Sequence, residues 1–313
     1  MDIPEPRVCI SVLNWNSYQH TIHCLESLQT LDHNNYTIVV VDNASADDSV
    51  AHIKAAFPDV DIIQSESNHG YAGGHELALQ HALDDGETEL FWILNNDTVV
   101  SPDALRAFIA AYERYGVALY GGVVLEGEDH LLKMYLFEYR RNRLFLKYHD
   151  LDGIPYASYF QTPEPREVNN LHGSTLLIPL TVVRQYGFMD TSYFMYAEEY
   201  DYCLRLAKHG VKSILVPAST VIHTGGASGT KRSALGGMMQ YYRIRNRLIF
   251  YRRHVSWLYY VYKLADTLLV MLKRAINPPA NLPERWFMYT ALGIRDSLIG
   301  RMGKTFAPED WLD

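Results

Sequence analysis

The chain has 313 residues, 48% hydrophobic and 20% charged, with 28 basic against 36 acidic side chains for a formal net charge of −8. That length buries a substantial core, and the ordinary composition excludes collagenous, coiled-coil and low-complexity classes. The acidic balance excludes a nucleic-acid surface, which neutralises phosphates with an excess of Lys and Arg.

Three cysteines, Cys9, Cys24 and Cys203, lack paired spacing. They read as small buried apolar residues of a protein kept in a reducing cytoplasm, not as a disulfide framework. The opening MDIPEPRVCI has no basic stretch followed by an apolar one, so no secretory signal is read and the domain is expected to stay cytosolic.

In chain order, VCISVLNW (8–15), TIVVVD (37–42), DIIQ (61–64) and LFWILN (90–95) predict strands, with helical patterns near 18–30, 47–57, 71–84 and 102–115. Strand–helix alternation predicts a parallel sheet with right-handed crossovers, whose ligands sit beyond the carboxyl ends of the strands. Those ends carry Asn14 and Asn16, then Asp42 and Asn43, then Asn68, then Asn95, Asn96 and Asp97. A nucleotide crevice needs short donors and acceptors at such places. At any single position, Asn or Asp also simply makes a turn.

The segment NHGYAGGHELALQHAL (68–83) sets Gly70, Gly73 and Gly74 before a helix, where close backbone approach and free amides suit an anion. In ILNNDTVVSPDAL (93–105) an apolar strand runs into Asp97, and Ser101-Pro102 is expected to open the next helix. One carboxylate is adequate for a Mg²⁺ or Mn²⁺ ion that also takes substrate phosphates; an aspartate capping a turn is the plainer alternative.

From about 120 to 170 the pattern is irregular and aromatic, predicting hairpins or a flap. Then FMYAEEYDYCLRLAKHG (194–210) crowds Glu198, Glu199 and Asp201 at the start of an amphipathic helix. Acids suit a helix N-terminus; crowding also raises a carboxyl pKa and makes a better general base. Two short strands, 212–217 and 219–223, follow, and His223 closes the second as a candidate metal or phosphate contact. His172 is at most a pocket-lining residue.

The run Arg243, Arg245, Arg247, Arg252 and Arg253, interleaved with aromatics, has two readings. It grips anionic lipid or a lipid-diphosphate acceptor, or it packs on the sheet with snorkelling arginines. Segment 255–276 is long enough to span a bilayer but holds Lys263 and Asp266 near its middle, so an interfacial or packed helix is expected. NPPANLP (277–283) is a helix break.

Seven landmarks in order, SVLNWN (11–16), VVVDNAS (39–45), NHGYAGG (68–74), LNNDT (94–98), GFMD (187–190), AEEYDYCLR (197–205) and VIHTGG (221–226), resemble the inverting glycosyltransferases of family 2, in particular the bacterial rhamnosyltransferase-like branch. The resemblance, which runs from about residue 7 to 250, implies a GT-A fold, a mixed, mostly parallel sheet flanked by helices, placed over 1–232; the helical pattern beyond 233 makes 233–313 a helical region, packed or membrane-peripheral.

It further implies transfer of a sugar such as rhamnose from a nucleotide-diphosphate donor to a glycan or lipid-linked acceptor, in surface polysaccharide synthesis of the O-antigen or capsule kind at the inner face of the membrane. By the same resemblance Asp42 reads the base, with Asn14, Asn43 and Asn68 near the nucleotide; the strand-end and glycine-loop patterns add Asn16, Gly70, Gly73 and Asn96 as donor contacts. Asp97 and His223 hold Mg²⁺ or Mn²⁺, Glu199 is the base and Glu198 its acidic neighbour, while Asp201 and Arg205 support the helix. Two positions depart from the family pattern: Asn-Asn-Asp stands for Asp-X-Asp, and Glu-Glu for Glu-Asp. The competing expectations are a nucleotidyltransferase and an inactive nucleotide-sugar-binding protein.

Overall fold

Alternate residues of the first strand point to opposite faces, and both faces are covered. Val8, Ile10 and Val12 join one buried apolar cluster, with Val40, Trp92 and Leu94. Cys9 joins another, with Val39, Val41, Phe91 and Ile93. Strands buried on both faces belong to a central, largely parallel sheet between helical layers.

The computed structural model describes residues 5–139, 146–224, 232–280, 282–283 and 285–307. Its first elements are β1 (Val8–Asn14), α1 (Tyr18–Leu28), β2 (Tyr36–Asp42), α2 (Ser49–Ala56), β3 (Asp61–Gln64), α3 (Gly70–Asp84), β4 (Leu90–Asn95), β5 (Thr98–Val100) and α4 (Ala104–Tyr115). There follow β6 (Ala118–Glu126), β7 (Leu131–Leu132), β8 (Tyr135–Glu138), β9 (Lys147–Asp150), α5 (Tyr156–Tyr159), β10 (Arg166–Val168), β11 (Thr175–Pro179), α6 (Leu180–Tyr186) and α7 (Glu198–Ala207). Last come β12 (Lys212–His223), α8 (Arg232–His254), α9 (Trp257–Ile276) and α10 (Trp286–Ile299).

One ten-stranded sheet runs in the order β10-β12-β6-β11-β4-β1-β2-β3, with β5 added to β12 and β7 to β6. Strands β4, β1, β2 and β3 are parallel, whereas β11 is antiparallel to both β4 and β6. The sheet is therefore mixed, and the carboxyl ends of β1, β2 and β4 open on the same edge. Helices α1, α2 and α4 cover one face; α3, α6 and α7 cover the other.

Three expectations change. Residues 118–126, read largely as irregular, form a central strand buried at eight of its nine positions. Its Gly121-Gly122 dilutes the apolar run because the neighbours leave no room: a Cβ at Gly121 would lie 2.7 Å from the Leu171 side chain. The two short strands near 212 and 219 are one strand whose register slips between Leu215 and Thr220, where Pro217 removes a ladder donor. Helix α4 starts at Ala104 with Asp103 as its cap residue; Ser101 instead bonds Thr220 across to β12 at 2.5 Å.

Beyond the sheet, α8 packs against α9 and α10 and touches α7. Its Tyr241, Tyr242, Arg245, Asn246 and Leu248 are buried, so this part of the basic run is packed inward. Among the described residues no helix is long and apolar enough to cross a membrane. All three cysteines are buried and free.

Candidate active site

At the end of β1, Asn14 has no exposed surface. Its Nδ2 donates to Asp42 at 2.7 Å and to Ser45 at 3.1 Å, and its Oδ1 accepts from Thr21 at 2.7 Å. Asp42 accepts in addition from the Ser45 hydroxyl at 2.6 Å and the Ser45 amide at 3.1 Å. A carboxylate has about four acceptor positions, so Asp42 retains capacity for one more donor. Asn96 donates to Thr21 at 2.9 Å. Asn16, in left-handed backbone at φ 50, accepts from the Ala46 amide at 2.7 Å, and its Nδ2 is buried with no hydrogen-bond partner.

The turn before α3 is tied down in the same way. Asn43 Nδ2 donates to Asn68 at 3.2 Å and to the Gly70 carbonyl at 2.9 Å, while its Oδ1 accepts from the His69 amide at 2.9 Å. Asn68 Oδ1 takes the Gly70 amide at 2.8 Å, and the Phe194 carbonyl takes the Tyr71 amide at 2.7 Å. The expectation of free amides at this helix start is thus corrected for these three, because neighbouring side chains and backbone already bond them. Gly70 has φ +74, and a Cβ there would lie 2.0 Å from the Phe194 carbonyl oxygen. Gly73 is buried beside His69 and Thr191. These glycines let α3 dock on the segment before α7.

Asp97 follows β4 in the turn to β5, and the pairing of β5 with β12 sets Thr98 opposite His223. The His223 Nε2 lies 3.0 Å from Asp97 Oδ2, with both side chains partly exposed. Burial pushes the Asp97 carboxyl up, but the hydrogen bond and charge of His223 outweigh it and hold it below its ordinary value. The bond to Asp97 raises His223 in turn. Asp97 Oδ1 is buried and has no hydrogen-bond partner, and a buried unsatisfied acceptor of this kind calls for a ligand or water.

One carboxylate and one imidazole fit a small divalent cation, whose ligands stand about 3 Å apart and which shares its coordination with phosphate oxygens. Among the described residues no group of three or more His, Cys, Asp or Glu forms a full cage. Nearby, the His172 Nδ1 accepts from the Ser174 amide at 3.2 Å, and burial lowers the imidazole to about 4.

On α7, Glu198 is buried with Oε2 unpartnered, and burial followed by the charge of Glu199 raises it well above the ordinary carboxyl range. Glu199 is half-buried; burial raises it to about 7, against the hydrogen bond from Tyr200. Asp201 points the other way, accepting from Tyr193 at 2.9 Å and contacting His254 at 2.8 Å. Burial opposes ionisation, yet those partners and Arg253 hold Asp201 low. Arg205 donates to the carbonyls of Tyr186 and Phe188. Asp201 and Arg205 thus fix the helix.

Tyr71 joins the two halves. Its hydroxyl donates to the Gly173 carbonyl at 2.6 Å. Burial raises its pKa well above the usual value, and the charges of Glu199, Glu198 and Asp97 raise it further. The charges of the α7 carboxylates and of the aspartate after β4 thus reach the same hydroxyl. Sequence reasoning passed over Tyr71, although it stands inside the quoted NHGYAGG; its aromatic ring among turn residues was the available signal. Tyr200 and its hydrogen-bonded partner Tyr135 were missed as well, because their meeting depends on the β8–β9 hairpin.

The family model for glycosyl transferase family 2 matches residues 8–169, about half of the chain. The model for glycosyl transferase family group 2 matches residues 90–294. The low-salt glycan biosynthesis hexosyltransferase Agl10 of Haloferax volcanii is 25% identical over 271 residues, which is 87% of this chain and 84% of that protein. An N-acetylglucosaminyl-diphospho-decaprenol L-rhamnosyltransferase of Mycobacterium tuberculosis is 25% identical over 223 residues, covering 65% of this chain and 71% of its own length. Among solved structures, the mannosyltransferase PcManGT of Pyrobaculum calidifontis, in complex with GDP-Man and Mn²⁺, superposes with a TM-score of 0.54 at 15% identity. The match covers 95% of this chain and 87% of that one, a likeness that shows the GT-A fold.

Proposed function

The chain belongs to glycosyl transferase family 2, and from that premise we propose that it transfers a sugar with inversion, Glu199 taking the proton of the acceptor hydroxyl. The acceptor oxygen forms its bond to the anomeric carbon as the bond to the donor diphosphate breaks. The electron pair leaves with the diphosphate, and the proton goes to Glu199. The observation that carries this reading is Tyr71, whose hydroxyl feels Asp97, Glu198 and Glu199 together. A carboxyl held near 7 suits proton abstraction close to neutrality, an effect worth about 10² to 10⁴ in rate.

Glu198, buried beside it, keeps a neutral carboxyl that does not repel the ionised base. Asp42 takes an N–H of the nucleotide base at its remaining acceptor position, and Asn16 offers its unpartnered Nδ2 to the donor. Asn14, Asn43, Asn68, Gly70, Gly73 and Asn96 shape the floor beneath them by holding these groups and the α3 turn in place. A Mg²⁺ or Mn²⁺ ion held by Asp97 and His223 supplies, when bound, neutralisation of the donor diphosphate. We assign this work to residues 1–232 and read 233–313 as a helical appendage.

The relatives' names favour rhamnose or another hexose as the sugar, and a glycan or lipid-linked saccharide as acceptor, in surface polysaccharide synthesis of the O-antigen or capsule type. The test is a panel of nucleotide sugars, each with Mg²⁺ or Mn²⁺ and with free and lipid-linked saccharide acceptors, read by nucleotide release. Acceptor-dependent release with inverted product is expected. Silence across the panel from folded protein would overturn the reading.

A second reading concerns α9. Trp257, Leu258, Val261, Leu268, Leu269 and Leu272 are all more than 40% exposed, and a 100° step per residue gathers them into an arc of about 120°. Residues 232–307 hold 13 Lys and Arg against 3 Asp and Glu, a net +10 in a chain of −8. An apolar arc on a basic region fits an anionic lipid surface, which puts the enzyme at the cytoplasmic face of the membrane beside a lipid-linked acceptor. Sedimentation with phosphatidylglycerol-containing vesicles, lost in Leu268→Glu/Leu272→Glu, is expected. Equal pelleting of that variant, or self-association without vesicle binding, would refute it.

A further inference from the structure

The backbone that delivers Glu198 and Glu199 stands in conformations that L-residues avoid. Phe194 has φ 69 and ψ −55, the rare and strained γ-turn conformation. Tyr196 has φ 69 and Ala197 φ 76, so three of the four residues before α7 are non-glycines at positive φ. Each is sterically unfavourable and persists only where the surroundings over-determine it.

What surrounds them is a buried pair on α8. Asn246, with no exposed surface, donates through Nδ2 to the carbonyls of Tyr193 at 2.9 Å, Met195 at 2.6 Å and Tyr196 at 3.1 Å. Its amide orientation is fixed by chemistry. The Arg245 Nε, which can only donate, reaches Asn246 Oδ1 at 2.7 Å and so turns Nδ2 toward the carbonyls. Arg245, equally buried, also donates to the Tyr193 carbonyl at 2.9 Å and to the Gly303 carbonyl at 2.7 Å. Its guanidinium lies 5.2 Å and 4.9 Å from the Tyr241 and Tyr242 ring centres. Among the described residues it makes no ion pair with a carboxylate. A buried guanidinium without such a partner is costly, and here its donors go to backbone carbonyls of the strained turn and of the segment after α10.

We infer that Arg245 and Asn246 are positioning residues, clamping 193–197 in its left-handed path so that α7 begins where Glu199 faces the cleft. The inference rests on Glu199 being the proton acceptor. The same clamp holds the Phe194 carbonyl against the Tyr71 amide, so one pair of side chains sets both the acid and the hydroxyl that borders it.

The strain supplies its own test. Asn246→Ala removes both amide N–H donors, which three carbonyls of the turn share, and Ala197→Gly in the same chain removes the steric cost of φ 76. With the nucleotide sugar the wild type turns over, Asn246→Ala should lower kcat about tenfold to a hundredfold, as small misplacements of reacting groups do. The donor KM should move less than about threefold, and the acid midpoint of kcat should shift away from the wild-type value. Adding Ala197→Gly should recover at least about fivefold of the lost kcat. Unchanged kcat, or a loss with the wild-type pH midpoint and no recovery by glycine, would show ordinary fold support and overturn the inference.

Hydrogen exchange of amides 194–199 decides the clamp without any substrate: Asn246→Ala should raise exchange there while β1 and β4 stay protected. Equal protection overturns it even if the wild type proves inert, an outcome that instead refutes the proposed transfer. If Asn246→Ala does not fold, Asn246→Ser, which keeps one donor, takes its place.

Discussion

At the ends of β1 and β2 the buried polar groups are largely answered by neighbours: Asn14 bonds Asp42, Ser45 and Thr21, and Asn43 bonds Asn68, His69 and Gly70. Across the crevice, Glu198 is buried with an unanswered oxygen, beside a second acid raised to about 7, on a turn of positive φ. On the function proposed above, the first region is a pre-set mould that meets a nucleotide without reorganisation. The second stores unfavourable burial and strain, which on the same reading keeps a carboxyl reactive at neutral pH where the proton would move.

The largest effect should come from breaking the second region. Glu199→Gln is expected to lower kcat by about 10² to 10⁴ while donor affinity by calorimetry stays within a few-fold. Full turnover in that variant would move the base to Glu198. Next, Asp97→Asn is expected to cost about 10² in kcat/KM, in line with loss of one charge-stabilising group. Donor affinity should become insensitive to Mg²⁺ or Mn²⁺; equal affinity with and without the ion in the wild type would remove the metal role.

The first region should fail differently. Asn14→Ala leaves Asp42, Ser45 and Thr21 short of partners in a buried place, so urea denaturation should show a loss of roughly 2–3 kcal/mol with an unchanged m-value. A neutral result would mean that water or a neighbour replaces the amide.

The smallest and sharpest contrast is in pH. Glu199 is raised from 4.5 to about 7 in the folded protein, so between those values the folded state binds more proton than the unfolded one. Stability contributed by this group therefore falls as pH rises from about 4.5 to 7, whereas kcat rises through the same upper midpoint because the base must be ionised. In thermal melts, Glu199→Gln should exceed the wild type by a few degrees at pH 8 and converge with it near pH 4. A variant less stable than the wild type at pH 8 would contradict the burial argument.

Much of the mould was legible because it obeys local rules. Apolar runs that stop at Asn or Asp mark strand ends, and β1 to β4 fall within a residue of their predicted limits. The inward half of the basic run was not legible in detail. Arg245 and Asn246 sit in RIRNRL, where the sequence allows a lipid-facing helix or a packed one with snorkelling arginines, and only packing against 193–197 shows that these two side chains turn fully inside. Strand β6 escaped because paired glycines break the apolar pattern that signals a strand. Residues 225–231, which hold the end of the VIHTGG landmark beside His223, lie outside the described residues.

By itself the sequence determined the alternating strands and helices, the polar strand ends, and the acids and histidine proposed for the chemistry, because these follow from residue type and near-neighbour spacing. Tertiary structure alone decided that the charges of Asp97 and Glu199 reach one hydroxyl, that the α3 amides are already bonded, and that α8 grips the turn before α7. Apart from the Gly70 amide, which Asn68 takes locally, those facts join residues far apart in the chain, and such meetings are set by how layers stack, which no local pattern encodes.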